Sequence, residues 1–196
     1  MRLLQSLFTL LLVLTLSGCG YNAMQAADEQ VKADWSEVLS QYQRRADLIP
    51  NLVNSVKGYA AHEEKVLTEV TNARSKVGST QITADQLDDP EAMERFQKAQ
   101  GELSSALSRL LMVSENYPQL KADGLFKDLM SQLEGTENRI TVARGRYVKA
   151  VQAYNVLIRQ FPQNLTAMVM GYKAKSQFSV EDEAAISTAP SVNFGD

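Results

Sequence analysis

The chain has 196 residues, a formal net charge of −3, 44% hydrophobic residues and one cysteine. That length suits one domain with a real core, and a lone cysteine excludes intrachain disulfides and cysteine-based metal sites. Acidic and basic residues are interleaved, and no basic patch threaded with aromatics marks a nucleic-acid partner.

At the start, Arg2 precedes an apolar run from Leu3 to Leu16 that small residues close, the order of a secretory signal over residues 1–18. The run is shorter than the roughly 20 apolar residues that a membrane-spanning helix needs. The competing reading is an uncleaved hydrophobic anchor with an incidental thiol. Leu16-Ser17-Gly18-Cys19 resembles a bacterial lipobox. That resemblance implies diacylglycerol on the Cys19 thiol, cleavage before it, and a further acyl chain, such as palmitate, on the new amino group. Each buried methylene contributes about 0.8 kcal/mol and stable anchoring takes more than one chain, so three chains would hold the protein on its membrane. Gly20 rather than Asp follows the cysteine. By the Gram-negative sorting rule this implies the outer membrane, facing the periplasm. Removal of the signal leaves about 178 residues with a charge of about −4.

Val31, Trp35, Val38, Tyr42, Ile49, Val53, Val56 and Ala60 recur at helical spacing, and Leu67 and Val70 extend the stripe. If unbroken from residue 24 to 77, this helix is about 80 Å long at roughly 1.5 Å per residue. Pro50 falls inside it. Either the helix kinks there, or Asp47 caps a new helix with Pro50 at its third position. The segment "GSTQITADQLDD" then reads as a loop. Asp89 followed by Pro90 and Glu91 opens the next helix, with Met93, Phe96, Leu103, Leu107 and Leu110 as its stripe and an end before Pro118. A third helix spans 125–161, with Leu125, Leu129, Leu133, Ile140, Ala143, Tyr147, Val151, Tyr154 and Ile158 in near-heptad steps. Pro162 stops it. "NLTAMVMGY" makes a short fourth helix capped by Asn164, and residues 173–196 lose periodicity and read as a mobile tail. Isolated glycines within the helices allow close helix approach. No segment alternates with period two. The expected fold is all-α, an elongated antiparallel bundle of three long helices plus one short C-terminal helix over residues 19–172.

"RRADLIPNLVNSVKGYAAHEEKVLTEVTNAR" at 44–74 resembles the signature of the LemA family. "LSSALSRLLMVSENYPQLKA", "LEGTENRITVAR" and "AVQAYNVLIRQFP" are similar to its later motifs, in the same order. Val148 departs from the family, which usually has Asn there. The resemblance implies an envelope-anchored bundle of long helices; it implies no established activity. Arg45, Asp47, Asn51, Glu115, Asn116, Glu137, Asn138, Arg139, Tyr154 and Asn155 lie in these motifs. They either satisfy helix ends and inter-helix polar contacts or form a partner-binding surface.

His62, the single histidine, has neither the partner ligands of a metal site nor the nucleophile of a hydrolase near it in sequence. No phosphate-binding loop and no acid/base constellation occurs, so no cofactor is expected and the chain does not read as an enzyme. The leading expectation is a lipid-anchored interaction or scaffold protein with an envelope partner. The alternatives are a membrane-surface protein that binds or shapes lipid, and an accessory to an envelope protease or cell-wall enzyme. Heptad-like stripes suit a monomer and an oligomer alike.

Overall fold

The apolar stripes do fold as helices, and among the described residues there is no strand. The computed structural model describes the backbone of residues 2–178 and the side chains from Gly20 to Phe178; the Cys19 side chain and residues 179–196 lie outside the described residues. Six helices follow in order: α1 (Arg2–Tyr59), α2 (Glu64–Ser79), α3 (Pro90–Ser114), α4 (Pro118–Ala122), α5 (Gly124–Leu157) and α6 (Gln163–Met170).

α1 passes through Pro50 without breaking, so Asp47 caps nothing. A proline in a helix interior lacks the N–H that would bond the carbonyl four residues back, here that of Ala46. Arg74 of α2 supplies the missing donor, its Nε lying 2.9 Å from the Ala46 oxygen. The continuous helix expected to residue 77 is not formed. α1 ends at Tyr59, the chain turns at residues 60–63, and α2 runs back along α1. A straight helix would carry Leu67, Val70 and Val77 past the end of the bundle. Folding back buries all three against α1 and α3. Glu63 holds the turn by accepting from the Tyr117 hydroxyl at 3.0 Å.

α3 starts as its sequence predicts. The Asp89 carboxylate accepts from the amides of Glu91 and Ala92, and Pro90 needs no donor at the first position. α5 runs antiparallel to α1: Trp35 stacks near Tyr147, Arg45 bonds Glu137, and Tyr59 bonds Asp123. Its stripe is buried from Leu129 to Ile158, but Leu125 is 62% exposed and the helix stops at Leu157 instead of 161. Phe126, 5% exposed, takes the core-facing position of the first turn, which leaves Leu125 on the outer face. Ion pairs between Lys76 and Glu102 and between Arg109 and Glu69 run α2 antiparallel to α3.

The core has two parts. One gathers Trp35, Tyr42, Phe96, Tyr147 and Tyr154 with the loop residues Ile82 and Leu87. The other gathers Ile49, Leu52, Val70, Leu103, Leu110, Leu120 and Leu133. α6 begins at Gln163, two residues before the start that a cap at Asn164 implies; Pro162 precedes it, and Asn164 makes no cap bond. The close-approach glycine is Gly20, where a Cβ would lie 3.1 Å from the Gln163 Cγ. Gly58, Gly135 and Gly145 face open space, so helix approach does not require them.

The tail from residue 173 is not loose over its described part. Asn155 clamps Lys175 through both its backbone groups, at 2.9 and 2.8 Å, and the Tyr147 hydroxyl donates to the Ser176 carbonyl at 2.8 Å. The Ser176 amide donates to the Leu87 carbonyl, and Phe178 packs on Trp35, Tyr147 and the Arg144 guanidinium. A segment without periodicity is held here because polar groups of α5 satisfy its backbone and one aromatic ring enters the core.

Candidate functional site

Arg45 lies between the two apolar clusters and is 2% exposed. Its guanidinium donates to Glu137 Oε1 of α5 at 2.9 Å, to Ser104 Oγ at 3.0 Å and to Gln100 Oε1 of α3 at 2.5 Å. Its charge also sits 5.1 Å from the Tyr42 ring centroid. Nε alone is left without a partner. A guanidinium cannot shed its proton to escape burial, so this set of partners is what makes the position tenable.

The motif residues do not converge on one surface. Arg45 and Glu137 meet in the buried polar layer, while Tyr154 is buried and Asn155 binds the 173–178 strap. Burial pushes the Tyr154 hydroxyl up to about 12, with Asp28 adding to the effect. Asp47 is exposed and accepts from Gln43, not from Arg44 or Arg45. Glu115 pairs with Lys121 at 2.5 Å near the far end, where Asn116 is exposed. Asn51, Asn138 and Arg139 are exposed, Asn51 on α1 and the other two on α5. Sequence reasoning passed over Arg74 and Lys175. Nothing local marks Arg74, because its role depends on the turn at 60–63. Lys175 bonds Asp28 at 3.1 Å and is 14% exposed. Burial would raise the Asp28 carboxyl, but Lys32 and Lys175 outweigh it and hold it below its ordinary value.

An open groove of about 1270 Å³ lies between α2 and α3. Asn72, Ala73, Met93, Lys98 and Ala106 are among its lining residues, and the Lys76–Glu102 and Arg109–Glu69 pairs cross it. Paired charges on an open, mixed surface suit contact with an extended partner better than the enclosure of a small reactant. His62 is exposed in the turn after α1. Among the described residues, no group of three or more His, Cys, Asp or Glu could hold a metal ion, and no helix is long and apolar enough to cross a membrane. The interleaving of charge expected along the whole chain fails in one place: from Asn138 to Phe178 there are basic residues and no Asp or Glu.

Three curated relatives align with the chain at 28% identity over 174 residues, covering 81% of this chain and 64% of theirs. They are magnetosome proteins MamQ 2 and MamQ 1 of Paramagnetospirillum magneticum and magnetosome protein MamQ of Magnetospirillum gryphiswaldense. The chain therefore spans less than two thirds of the length of these relatives. Residues 34–194 match the LemA family across the buried polar layer, the α2–α3 groove and the strap, and the chain belongs to that family.

Proposed function

We propose that this protein is a lipid-anchored bacterial envelope protein that binds a partner and holds it at a set distance from the membrane, without catalysing a reaction. The observation that carries this reading is the absence of slack after the lipobox. Gly20 is buried against Gln163, so the residue after Cys19 already belongs to the packed bundle. From there α1 continues to Tyr59, roughly 60 Å at about 1.5 Å per residue. An acylated Cys19 would thus hold the bundle directly on the bilayer, with the partner-binding groove of α2 and α3 further along the same rigid body. The most elaborate polar network, around Arg45, is spent on internal contacts, which supports binding over chemistry. Gly20 after the cysteine supports an outer-membrane position facing the periplasm.

Two measurements test this. Metabolic labelling with palmitate marks the wild-type chain and is lost in Cys19→Ala, with unprocessed precursor accumulating; unchanged labelling defeats the anchor. Photo-crosslinkers at Asn72 and Lys98 in the groove, and at Asn51 and Asn138 outside it, are then placed in the anchored chain in native envelopes. One discrete protein adduct shared by the groove positions is expected, and adducts absent or scattered among many proteins would refute a dedicated partner.

A further inference from the structure

α6 is built inside out. Ala167 is its buried residue, whereas Leu165, Met168 and Val169 are 54%, 80% and 84% exposed. Phe161, just before the helix, is 79% exposed and Met170 is 53% exposed. Within the helix, Leu165, Met168 and Val169 share one outward face, opposite Ala167, and the exposed Phe161 precedes it two residues before the helix begins. Elsewhere the exposed large apolar residues, such as Tyr59, Met112, Leu125 and Val142, are spread over the end of α1, α3 and well-separated turns of α5. Scattered residues of that kind need no explanation, but a contiguous stripe does.

The position of the stripe identifies what covers it. α6 begins where Gln163 touches Gly20, and Tyr172 beyond its end is bonded by Gln25. It therefore lies alongside the first turns of α1 after Cys19. Residues 20–27 carry no charge, α6 carries none, and the charged groups that flank it are Arg159 and Lys173. Lys173 reaches Asp88 at 3.5 Å but remains 77% exposed. Exposed cations beside an apolar stripe can extend toward lipid headgroups while the stripe enters the acyl boundary. Tyr21, 37% exposed at the same end, is a residue suited to the headgroup level. Eight residues are too few to hold a protein on a membrane alone. Attached next to acyl chains, however, the helix meets the bilayer as an intramolecular event at high effective concentration.

We infer that the Phe161–Met170 tip is a second membrane contact, its apolar stripe inserting into the bilayer surface beside Cys19. This rests on the anchored reading for its proximity to lipid, and on its own residues for insertion. It orients the molecule as well as attaching it: one point of attachment lets a rod pivot, and two contacts define which side of α1 faces the membrane.

The test uses the full-length chain with Cys19 intact, purified and reconstituted in phosphatidylethanolamine–phosphatidylglycerol vesicles. Because Cys19 is the single native cysteine, acylation leaves each of Met168→Cys, Leu165→Cys and Met112→Cys with one free thiol for an environment-sensitive fluorophore. Probes at 168 and 165 should show blue-shifted emission, strong quenching by lipids carrying a shallow doxyl group, and severalfold weaker iodide quenching than the probe at 112. Equal iodide quenching at 168 and 112 overturns the inference. Protection from iodide without quenching by doxyl lipid also overturns it, and assigns the stripe to a protein or a second copy of this chain. Two dyes per chain would report an unacylated Cys19, which is the failure of the anchor and is read independently of probe depth.

Discussion

Pro50 and Arg74 make a coupled pair whose energetics can be worked out before measurement. A proline inside a helix costs about 3 kcal/mol, part of it the unpaired carbonyl four residues back. That carbonyl, of Ala46, accepts from Arg74 Nε at 2.9 Å in a half-buried setting. A hydrogen bond from a charged donor contributes about 1.5–3 kcal/mol, and partial exposure places this one at about 1.5 kcal/mol. Arg74→Met should therefore destabilise by about that much. Pro50→Ala restores an N–H that reaches the same oxygen, while giving up the roughly 0.4–1 kcal/mol by which proline stiffens the unfolded chain. Its net effect should be stabilising by about 1 kcal/mol, since strain relief exceeds that loss. In the Pro50→Ala background the Ala46 oxygen is already satisfied, so Arg74→Met should then cost only about 0.5 kcal/mol. The assay is urea unfolding of the four detergent-solubilised proteins followed by far-UV circular dichroism, with a constant slope required for comparing midpoints. The expected coupling is about 1 kcal/mol; additivity within about 0.3–0.5 kcal/mol would refute the donor role of Arg74.

Glu137→Ala leaves a buried guanidinium without its carboxylate, but Glu137 itself is 44% exposed, so the loss should be about 2 kcal/mol rather than the larger cost of a fully buried pair. Replacing both partners, as Arg45→Met with Glu137→Met, should recover most of it in the same unfolding assay. Phe178→Ala removes ring contacts with Trp35 and Tyr147 and should cost about 2 kcal/mol, and hydrogen exchange at the Ser176 amide should speed up with it. The strap should also loosen in acid. The Asp28 carboxyl titrates below its ordinary 3.8 in the folded protein, so its contribution is complete above that value and is lost as pH falls through the lower folded one. Exchange at Ser176 should rise below about pH 4, and Asp28→Asn should show the loosened strap already at neutral pH.

Helix identity was legible because apolar spacing reports burial directly: Trp35, Val38, Phe96, Leu103, Tyr147 and Val151 were assigned to the core by periodicity and lie there. The turn at 60–63 was not, since Val56, Ala60, Leu67 and Val70 keep their helical phase across it and no proline interrupts them. Phase records which side of a helix is apolar, not whether the helix continues. The polar residues were misleading for the opposite reason. Family-like motifs drew attention to Arg45 and Glu137 as a possible surface, yet Arg45 stands at a core-facing position of its stripe, between Tyr42 and Ile49, while Glu137 follows the core-facing Thr136 and reaches the guanidinium from the half-exposed flank of α5. A charge in core phase is the signal that would have placed Arg45 inside. The strap was hidden because it is held by Asn155, Tyr147 and Leu87, whose backbone and side-chain bonds leave no pattern in residues 173–178.

That core-phase charge also answers a question that apolar stripes leave open, namely what sets the register of long helices. Leucine-rich faces are nearly interchangeable after a slip of one turn, about 5.4 Å, so burial alone discriminates weakly between registers. Arg45 on α1, Gln100 and Ser104 on α3 and Glu137 on α5 discriminate strongly, because a slip of any one helix leaves a buried guanidinium without its partners. The layer sits where the two apolar clusters meet, so it aligns both at once. It need not add net stability to do this; its effect is to penalise the alternatives. Register in turn fixes how far the α2–α3 groove stands from Gly20, since α1 joins the two through a single helix. A protein whose proposed task is to hold a partner at a defined distance from a membrane needs that distance fixed more than it needs extra stability, and a buried charge with matched partners on two other helices supplies it.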